Sequence, residues 1–216
     1  MLFVACSGFP IAVSRYLAEF AAVEIADTEI GIPGTGTIRR WQREAPEGFV
    51  FTALAPAPIG GSGFADTGET DQHLKAILSF CKKLDALAVV FRVPEEVALT
   101  RTVAARAKDV LKSTSRSLIP VLDAPHWPVA QVAKICEGSG AVPAQDPLSI
   151  ANAPSGKLAY LVLPGPAGYR SRYDEETIAK VADVCKRSKA ETTICVLRNI
   201  DKEANSKMLL ELMAGA

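Results

Sequence analysis

Histidine is scarce in this 216-residue chain, which contains only His73 and His126. Two imidazoles exclude a metal site built from three histidines, although a carboxylate-rich Mg²⁺ or Mn²⁺ site stays open. The five cysteines include no pair at CxxC spacing, so the sequence indicates neither a disulfide framework nor a zinc knuckle. We therefore expect no tightly bound transition metal and no cofactor.

An excess of charge and long apolar runs are also missing. Lys+Arg and Asp+Glu both number 24, and this balance argues against a general polyanion binder. Aromatic residues make up 6% of the chain and form no aromatic–basic ladder, so we expect no nucleic-acid partner. No run approaches the roughly 20 apolar residues of a membrane span, and the first residues lack the basic start of a signal peptide. These absences predict a cytoplasmic protein with no membrane partner.

The chain repeats one pattern, in which a short apolar run is followed by a turn and a helical segment. Several of the eight apolar runs lack polar alternation, as is typical of parallel strands buried on both faces. The predicted strands are Leu2–Cys6, Ala22–Ile25, Phe49–Leu54, Ala86–Phe91, Leu118–Leu122, Ala141–Ala144, Leu158–Leu163 and Thr192–Leu197.

Helical patterns fill most of the segments between these strands. The clearest predicted helix has Asp174 as its N-cap, and the pattern is weakest over Gly138–Lys157, which contains three prolines. The predicted helices are Asp71–Leu84, Glu95–Leu111, Asp174–Ser188 and Lys202–Met213.

Eight strands alternating with helices predict an α/β protein with a compact (β/α)8 TIM-type barrel, formed by residues 1–216 as a single domain. The rival architecture is a doubly wound open sheet, which usually carries a phosphate-binding loop after its first strand. Here Ser7-Gly8-Phe9-Pro10 follows the first strand and is not such a loop. The sequence therefore favours the barrel.

A series of short motifs runs in one order along nearly the whole chain. The motif residues are Ser7-Gly8, Phe20 to Ile25, Thr28, Pro33, Trp41, Pro46 to Phe51, Pro94, Trp127, Asp146-Pro147, Gly165, Tyr173 and Asn199. Together they resemble the YecE-like, DUF72 family. The resemblance implies a TIM barrel whose biochemical function is uncharacterised.

The chain departs from that family where polar side chains would end the strands. The departures fall at Ala26, Leu54, Arg92, Val121, Asp123, Val162, Pro164 and Arg198. Active sites of TIM barrels lie at the C-terminal ends of the strands. The departures therefore imply that catalysis is weak or lost in this chain.

Two carboxylates are the catalytic candidates. Glu24, on the second strand, could act as a base or hold a divalent ion. Alternatively, Glu24 is a buried structural residue paired to Arg92 or Arg198, since buried carboxylates are normally paired. Asp146 precedes Pro147 and could instead begin a turn.

Two loops and several single residues are the ligand-binding candidates. The loop Gly165–Tyr173 sets Arg170 and Arg172 before a helix start, which is typical of an anion site, unless the arginines are solvated or pair with glutamates of that helix. The glycine-rich loop Ile59–Thr70 is a mobile lid, an anion-binding nest or, as we favour, a plain surface loop.

The remaining ligand candidates are Ser7, Arg92, Asp123, His126, Arg198 and Asn199. Asp123 could orient His126 for general acid–base catalysis; otherwise His126 is a loop residue beside Trp127.

The sequence thus predicts a protein that binds a small anionic or phosphorylated ligand at the strand C-termini. Two alternatives stay open. One is a divalent-metal-assisted hydrolase or lyase acting on a phosphorylated or sugar-like substrate through Glu24 and Asp146. The other is a non-catalytic protein-interaction scaffold. The sequence gives no indication of the oligomeric state.

Overall fold

The computed structural model describes residues 1–214 and contains eight strands that follow one another in chain order around a closed parallel barrel. The predicted barrel fold is therefore confirmed. Each strand end lies within two residues of the predicted end. The strands are β1 (Leu2–Ser7), β2 (Ala22–Ile25), β3 (Val50–Leu54), β4 (Ala88–Arg92), β5 (Ile119–Asp123), β6 (Val142–Gln145), β7 (Leu158–Leu163) and β8 (Thr192–Leu197).

Helices connect most of these strands. They are α1 (Val13–Glu19), α2 (Thr35–Glu44), α3 (Ala57–Gly61), α4 (Gly68–Leu84), α5 (Arg101–Thr114), α6 (Val129–Glu137), α7 (Glu175–Lys186) and α8 (Lys202–Ala214), with a 3-10 turn at Asp27–Glu29. The predicted N-cap of α7 is confirmed, because the Asp174 carboxylate accepts the Thr177 N–H at 2.8 Å.

The predicted start of α5 at Glu95 is wrong. The helix begins at Arg101, where Thr100 acts as N-cap and its hydroxyl oxygen accepts the Val103 N–H at 3.2 Å. Pro94 tolerates a helix start but does not require one, so the cap six residues later decides the boundary. As a result, the residues before Arg101 form a loop after β4.

The connection between β6 and β7 contains no helix within the described residues, so the alternation of strands and helices expected from the sequence is interrupted where the helical pattern is weakest. Pro147 and Pro154 interrupt the segment, and Gly156 adopts a positive φ of 100°. Prolines remove hydrogen-bond donors, and no apolar stripe offsets that loss.

The glycine-rich stretch after β3 is not a plain surface loop. It starts in α3, and the side chains of Ile59 and Phe64 are fully buried. Gly60 lies so close to β4 that an added Cβ would stand 1.8 Å from the Arg92 carbonyl oxygen. The segment is therefore packed against the strand end.

Contacts between residues divide the chain into two compact units. The first comprises Met1–Glu24, Pro46–Val50 and the chain from Gln145 onward. In its core, apolar side chains of α7 and α8 pack with those of β7 and β8; among them are Leu161, Ile178, Val181, Cys195 and Leu209. Tyr16 on α1 accepts the Cys6 N–H and donates to the Ala22 carbonyl oxygen, each at 2.8 Å, which ties α1 to β1 and β2.

The second unit comprises Ile25–Ala45 and Phe51–Ala144. Its strands β4 and β5 are paired over five positions, the last of which sets Arg92 beside Asp123. Leu111 on α5 is fully buried. This pairing brings the loops that follow β4 and β5 to the same end of the two strands.

Candidate functional site

Glu24 lies at the centre of a buried hydrogen-bond network in the first unit. Its side chain is 0% exposed, and Arg198 donates to both carboxylate oxygens, Nε to Oε1 at 2.9 Å and Nη2 to Oε2 at 2.7 Å. The Tyr160 hydroxyl also donates to Oε2, at 2.8 Å. Of the two cations considered from the sequence, Arg198 is therefore the partner of Glu24.

The network keeps Glu24 ionised. Burial alone would raise the pKa of this carboxyl, but the charge and hydrogen bonds of Arg198, with hydrogen bonds from Ser7 and Tyr160, lower its pKa below the usual range. A carboxylate whose oxygens already accept four hydrogen bonds is a poor general base. The arrangement is that of a structural ion pair.

Ser7 belongs to this network, whereas Asn199, two residues after the end of β8, bonds to α8. The Asn199 amide donates to Asn205 Oδ1 at 2.9 Å, while its own buried Oδ1 has no hydrogen-bond partner among the described residues. Lys202 Nζ donates to the carbonyl oxygen of Ser7, whose side chain is buried. The structure thus brings Ser7 and Arg198 to Glu24, whereas the Asn199 side chain bonds to Asn205.

Asp146, the other catalytic candidate, is exposed and forms a turn. One of its carboxylate oxygens accepts the Leu148 N–H at 2.9 Å, and the other accepts the Ser149 hydroxyl at 3.0 Å. This is the turn-initiating role that the following proline suggested.

The arginines of the β7–α7 loop do not converge on a site. Arg172 pairs with Asp201 at 3.1 Å rather than with a glutamate of α7, and Arg170 is exposed. The start of α7 is capped by Asp174 and carries Glu175 and Glu176 in its first turn. Negative charge therefore already occupies the helix end at which an anion was expected.

Gly165 serves the fold of the same loop. It adopts a positive φ of 108°, and an added Cβ would lie 2.1 Å from the Gly168 carbonyl oxygen. Its N–H donates to the Tyr173 hydroxyl at 2.8 Å. The backbone donor offered by this glycine is thus used within the loop.

In the second unit, Arg92 ends β4 and forms a cluster with two carboxylates. Its Nη1 donates to Glu29 Oε1 at 2.9 Å and Oε2 at 3.1 Å, and its Nε lies 3.8 Å from Asp123 Oδ2. Sequence reasoning missed Glu29, which is placed by the 3-10 turn after β2. A small cavity of about 110 Å³ borders Glu29 and Arg92.

A larger open cleft of about 770 Å³ lies between the β4–α5 loop and the start of α6. Arg101 and His126 contribute basic side chains to its lining, and Leu99 and Trp127 contribute apolar ones. The His126 ring is edge-on to Trp127, with ring centroids 6.1 Å apart. His126 is therefore the loop residue beside Trp127 that the sequence offered as its alternative role.

Two features give this cleft its shape and charge. The Trp127 indole N–H donates to the Val97 carbonyl oxygen at 2.8 Å, which joins the two loops that form the walls. Neither α5 nor α6 has an acidic residue in its first turn, in contrast to α7. The positive end of each helix dipole is thus not offset by an acidic side chain in the first turn of the same helix.

Arg101 is a further candidate that sequence reasoning missed. The predicted helix Glu95–Leu111 placed it in a helix interior, whereas the structure sets it at the first position of α5, in the lining of the cleft. The signal that could have found it is Thr100, a good N-cap residue directly before it.

Across residues 1–214, no three His, Cys, Asp or Glu side chains come together as metal ligands would. None of the helices in this part of the chain is both long and apolar enough to cross a membrane.

The chain is similar to known proteins of one family. The model of the family described as protein of unknown function DUF72 matches residues 12–215. No curated protein matches the chain. A DUF72 family protein from Enterococcus faecalis is similar with a TM-score of 0.82 and 14% identity, covering 99% of this chain and 96% of that one. Another from Thermotoga maritima has a TM-score of 0.72 and 15% identity, covering 99% of each chain.

A xylose isomerase domain protein from Planctomyces limnophilus is a more distant match. Its TM-score is 0.57 at 10% identity, with coverage of 99% of this chain and 95% of that one. At such identities the structural likeness shows the barrel fold alone. The family model, however, spans nearly the whole chain and agrees with the resemblance found in the motifs, and this protein therefore belongs to the DUF72 family.

Proposed function

We propose that this protein binds a small anionic ligand in the cleft that follows β4 and β5, and that its catalysis is weak or lost. The cleft residues belong to loops and helix starts at the C-terminal ends of these strands, where TIM barrels carry their ligands.

The observation that carries the proposal is which arginines already pair with a carboxylate and which do not. Arg92, Arg172 and Arg198 each pair with a carboxylate. Arg101 has no carboxylate partner among the described residues, and it shares the lining of the cleft with His126. A guanidinium in an open cleft can form charge-assisted, two-point hydrogen bonds with a phosphate or carboxylate.

The helix starts support the same chemistry. The first backbone N–H groups of a helix lack partners within it, and the helix dipole favours negative charge there. In the cleft, α5 and α6 begin without acidic residues, so their first turns add positive potential to that of Arg101.

One carboxylate in the lining, Glu95, opposes an anion. Because Glu95 is exposed, water screens its charge, and it can accept hydrogen bonds from ligand hydroxyl groups. If the ligand is an anion, Glu95→Gln should strengthen binding by a fewfold.

The geometry does not favour the hydrolase or lyase alternative. Glu24 is enclosed by donors, and Asp146 forms a turn. The described side chains also provide no group of three metal ligands. The two carboxylates on which that alternative depends thus have structural roles, one in a buried ion pair and the other in a turn.

Titration calorimetry with inorganic phosphate and a sugar phosphate tests the proposal. Arg101→Gln should weaken binding at least tenfold, since hydrogen bonds to charged groups contribute about 1.5–3 kcal/mol. The double variant Arg170→Ala, Arg172→Ala is the matched control and should bind like the natural protein. The reverse pattern would move the site to the β7–α7 loop, and no binding by the natural protein would refute the proposal.

A further inference from the structure

Helix α5 carries a marked excess of positive charge in a chain whose net charge is zero. Four of its residues are basic, and one, Asp109, is acidic. In α2, which also contains several arginines, Arg40 and Arg43 both form ion pairs with Glu44. The basic side chains of α5 form no ion pair within the described residues. Surface charge that is not neutralised in this way attracts partners of the opposite sign.

Three of these basic side chains lie along one side of α5. Lys108 identifies this side as the one that faces α6, because a Cβ added at Gly138, the C-cap of α6, would stand 2.5 Å from the Lys108 ammonium nitrogen. Arg101 precedes Lys108 by two helical turns, and Lys112 follows it by one turn. Residues at this spacing share one helix face, so the three cations form a row beside α6.

Helix α6 adds one more cation to this row. Gln131 borders the cleft, and Gly138 approaches Lys108, so this side of α6 faces α5. Lys134 follows Gln131 by three residues and lies on the same side. It is exposed and forms no ion pair within the described residues. Four basic side chains therefore line a surface that we call the α5–α6 face: Arg101, Lys108, Lys112 and Lys134.

The stability of the two helices accounts for only one of these cations. Lys108 lies at the carboxyl end of α6, where the helix dipole favours a positive charge. Arg101 is the first residue of α5, where the dipole disfavours a positive charge. The exposed carboxylates of the two helices, Asp109 and Glu137, form no ion pair with the four cations within the described residues. The α5–α6 face can therefore pair with acidic groups from outside the chain.

An apolar side chain stands at one end of this face. Val129, the first residue of α6, is 82% exposed and directly follows Pro128 of the cleft lining. Linear polyphosphate has no apolar group to place against Val129. Neither α5 nor α6 contains an aromatic residue on which the bases of a nucleic acid could stack. A segment of protein, in contrast, can supply both carboxylates and an apolar side chain.

We propose that the α5–α6 face binds a short acidic segment of a partner protein, with an apolar residue of that segment against Val129. The cations from Arg101 to Lys112 span roughly 16 Å of helix, which an extended peptide covers with about five residues. The proposal goes beyond the anion site, because three of the four cations lie outside the cleft.

Fluorescence polarisation with two labelled peptides, octaglutamate and octaglutamate with a leucine at both ends, tests the proposal. The natural protein should bind both, and the leucine-ended peptide at least threefold more tightly. Both should dissociate at an ionic strength of about 1 M, where the Debye length falls to about 3 Å. The double variant Lys108→Gln, Lys112→Gln should weaken the binding of both peptides at least threefold.

A second double variant controls for net charge. Lys82→Gln, Lys83→Gln removes two exposed lysines from α4 and should change neither affinity. Val129→Ser tests the apolar contact and leaves the cations in place. It should abolish the advantage of the leucine-ended peptide without changing the affinity for octaglutamate. Circular dichroism spectra of all variants establish that they are folded.

Several outcomes would overturn the inference. Equal losses in the two double variants would show that net charge alone governs binding. No binding of either peptide, equal affinity for both, or tighter binding of linear polyphosphate than of the leucine-ended peptide would also refute it. Because the phosphate titration described above depends on Arg101 rather than on the lysines, failure of the acidic peptides would leave the anion site standing.

Discussion

Replacing Glu24 with alanine should destabilise this protein more than almost any other single change to a charged residue. The substitution removes the carboxylate that balances the buried charge of Arg198 and that accepts the Tyr160 hydroxyl. Breaking a buried ion pair on one side costs about 3–5 kcal/mol. For a chain of this size, that corresponds to a fall in Tm of about 6–20 °C.

Chemical denaturation monitored by circular dichroism measures this loss directly. Glu19→Ala is the matched control, because Glu19 pairs with Arg15 and Lys207 at a site where its side chain is 30% exposed. Because water screens that exposed cluster, it should contribute much less than the buried pair. If Glu24→Ala loses no more than Glu19→Ala, the buried pair does not stabilise the fold and the reasoning is wrong.

The effect should also depend on pH. The pKa of Glu24 is lowered in the fold, so its contribution is present above the unfolded carboxyl pKa of about 4.3 and is lost as pH falls through the lower, folded pKa. The stability difference between the natural protein and Glu24→Gln should therefore be constant near neutral pH and shrink below about pH 4. A difference that stayed constant into acid would show that Glu24 is not the titrating group.

Three further predictions concern packing and burial. Gly60→Ala should destabilise by about 3 kcal/mol in chemical denaturation, because its Cβ would meet a backbone oxygen at 1.8 Å, whereas Gly61→Ala has open space and should change stability by less than about 0.5 kcal/mol. Tyr16→Phe should cost about 2 kcal/mol, since it leaves a buried N–H and a buried carbonyl without their partner, and an unchanged denaturation midpoint would contradict this. Burial raises the pKa of the Cys81 and Cys136 thiols to about 12, so neither should react with a thiol reagent at pH 8 until the protein is unfolded.

The strands were predictable because most of their residues face apolar surroundings on both sides. All six residues of β7, Leu158–Leu163, are buried, and the continuous apolar run marks both ends of the strand. The start of α5 was not predictable in the same way. Pro94 and Thr100 are both acceptable start signals, and only the hydrogen bond to Val103 distinguishes them.

The candidate site was harder to predict from the sequence than the fold was. A glutamate within a buried strand requires a cation, which predicts an ion pair but leaves the choice between Arg92 and Arg198 to the topology. The pairing of Arg172 with Asp201 joins two loops whose separation no sequence pattern encodes. Sequence analysis missed Arg101 because its place in the cleft depends on where α5 begins. Helix boundaries are the feature that sequence patterns locate least well.

The partial burial of β6 determines where we expect this barrel to unfold locally. In the described part of the chain, β6 is the only strand whose residues are all half-buried, and no helix follows it. It is paired to β5 at two positions, one of which is Pro143 and has no amide hydrogen to donate. Amide hydrogen exchange should therefore reach Val142 and Gln145 through local openings much less costly than global unfolding, while the amides of β8 exchange only when the whole protein unfolds. We therefore expect transient partial unfolding, and with it the first proteolytic cleavage, to begin at β6.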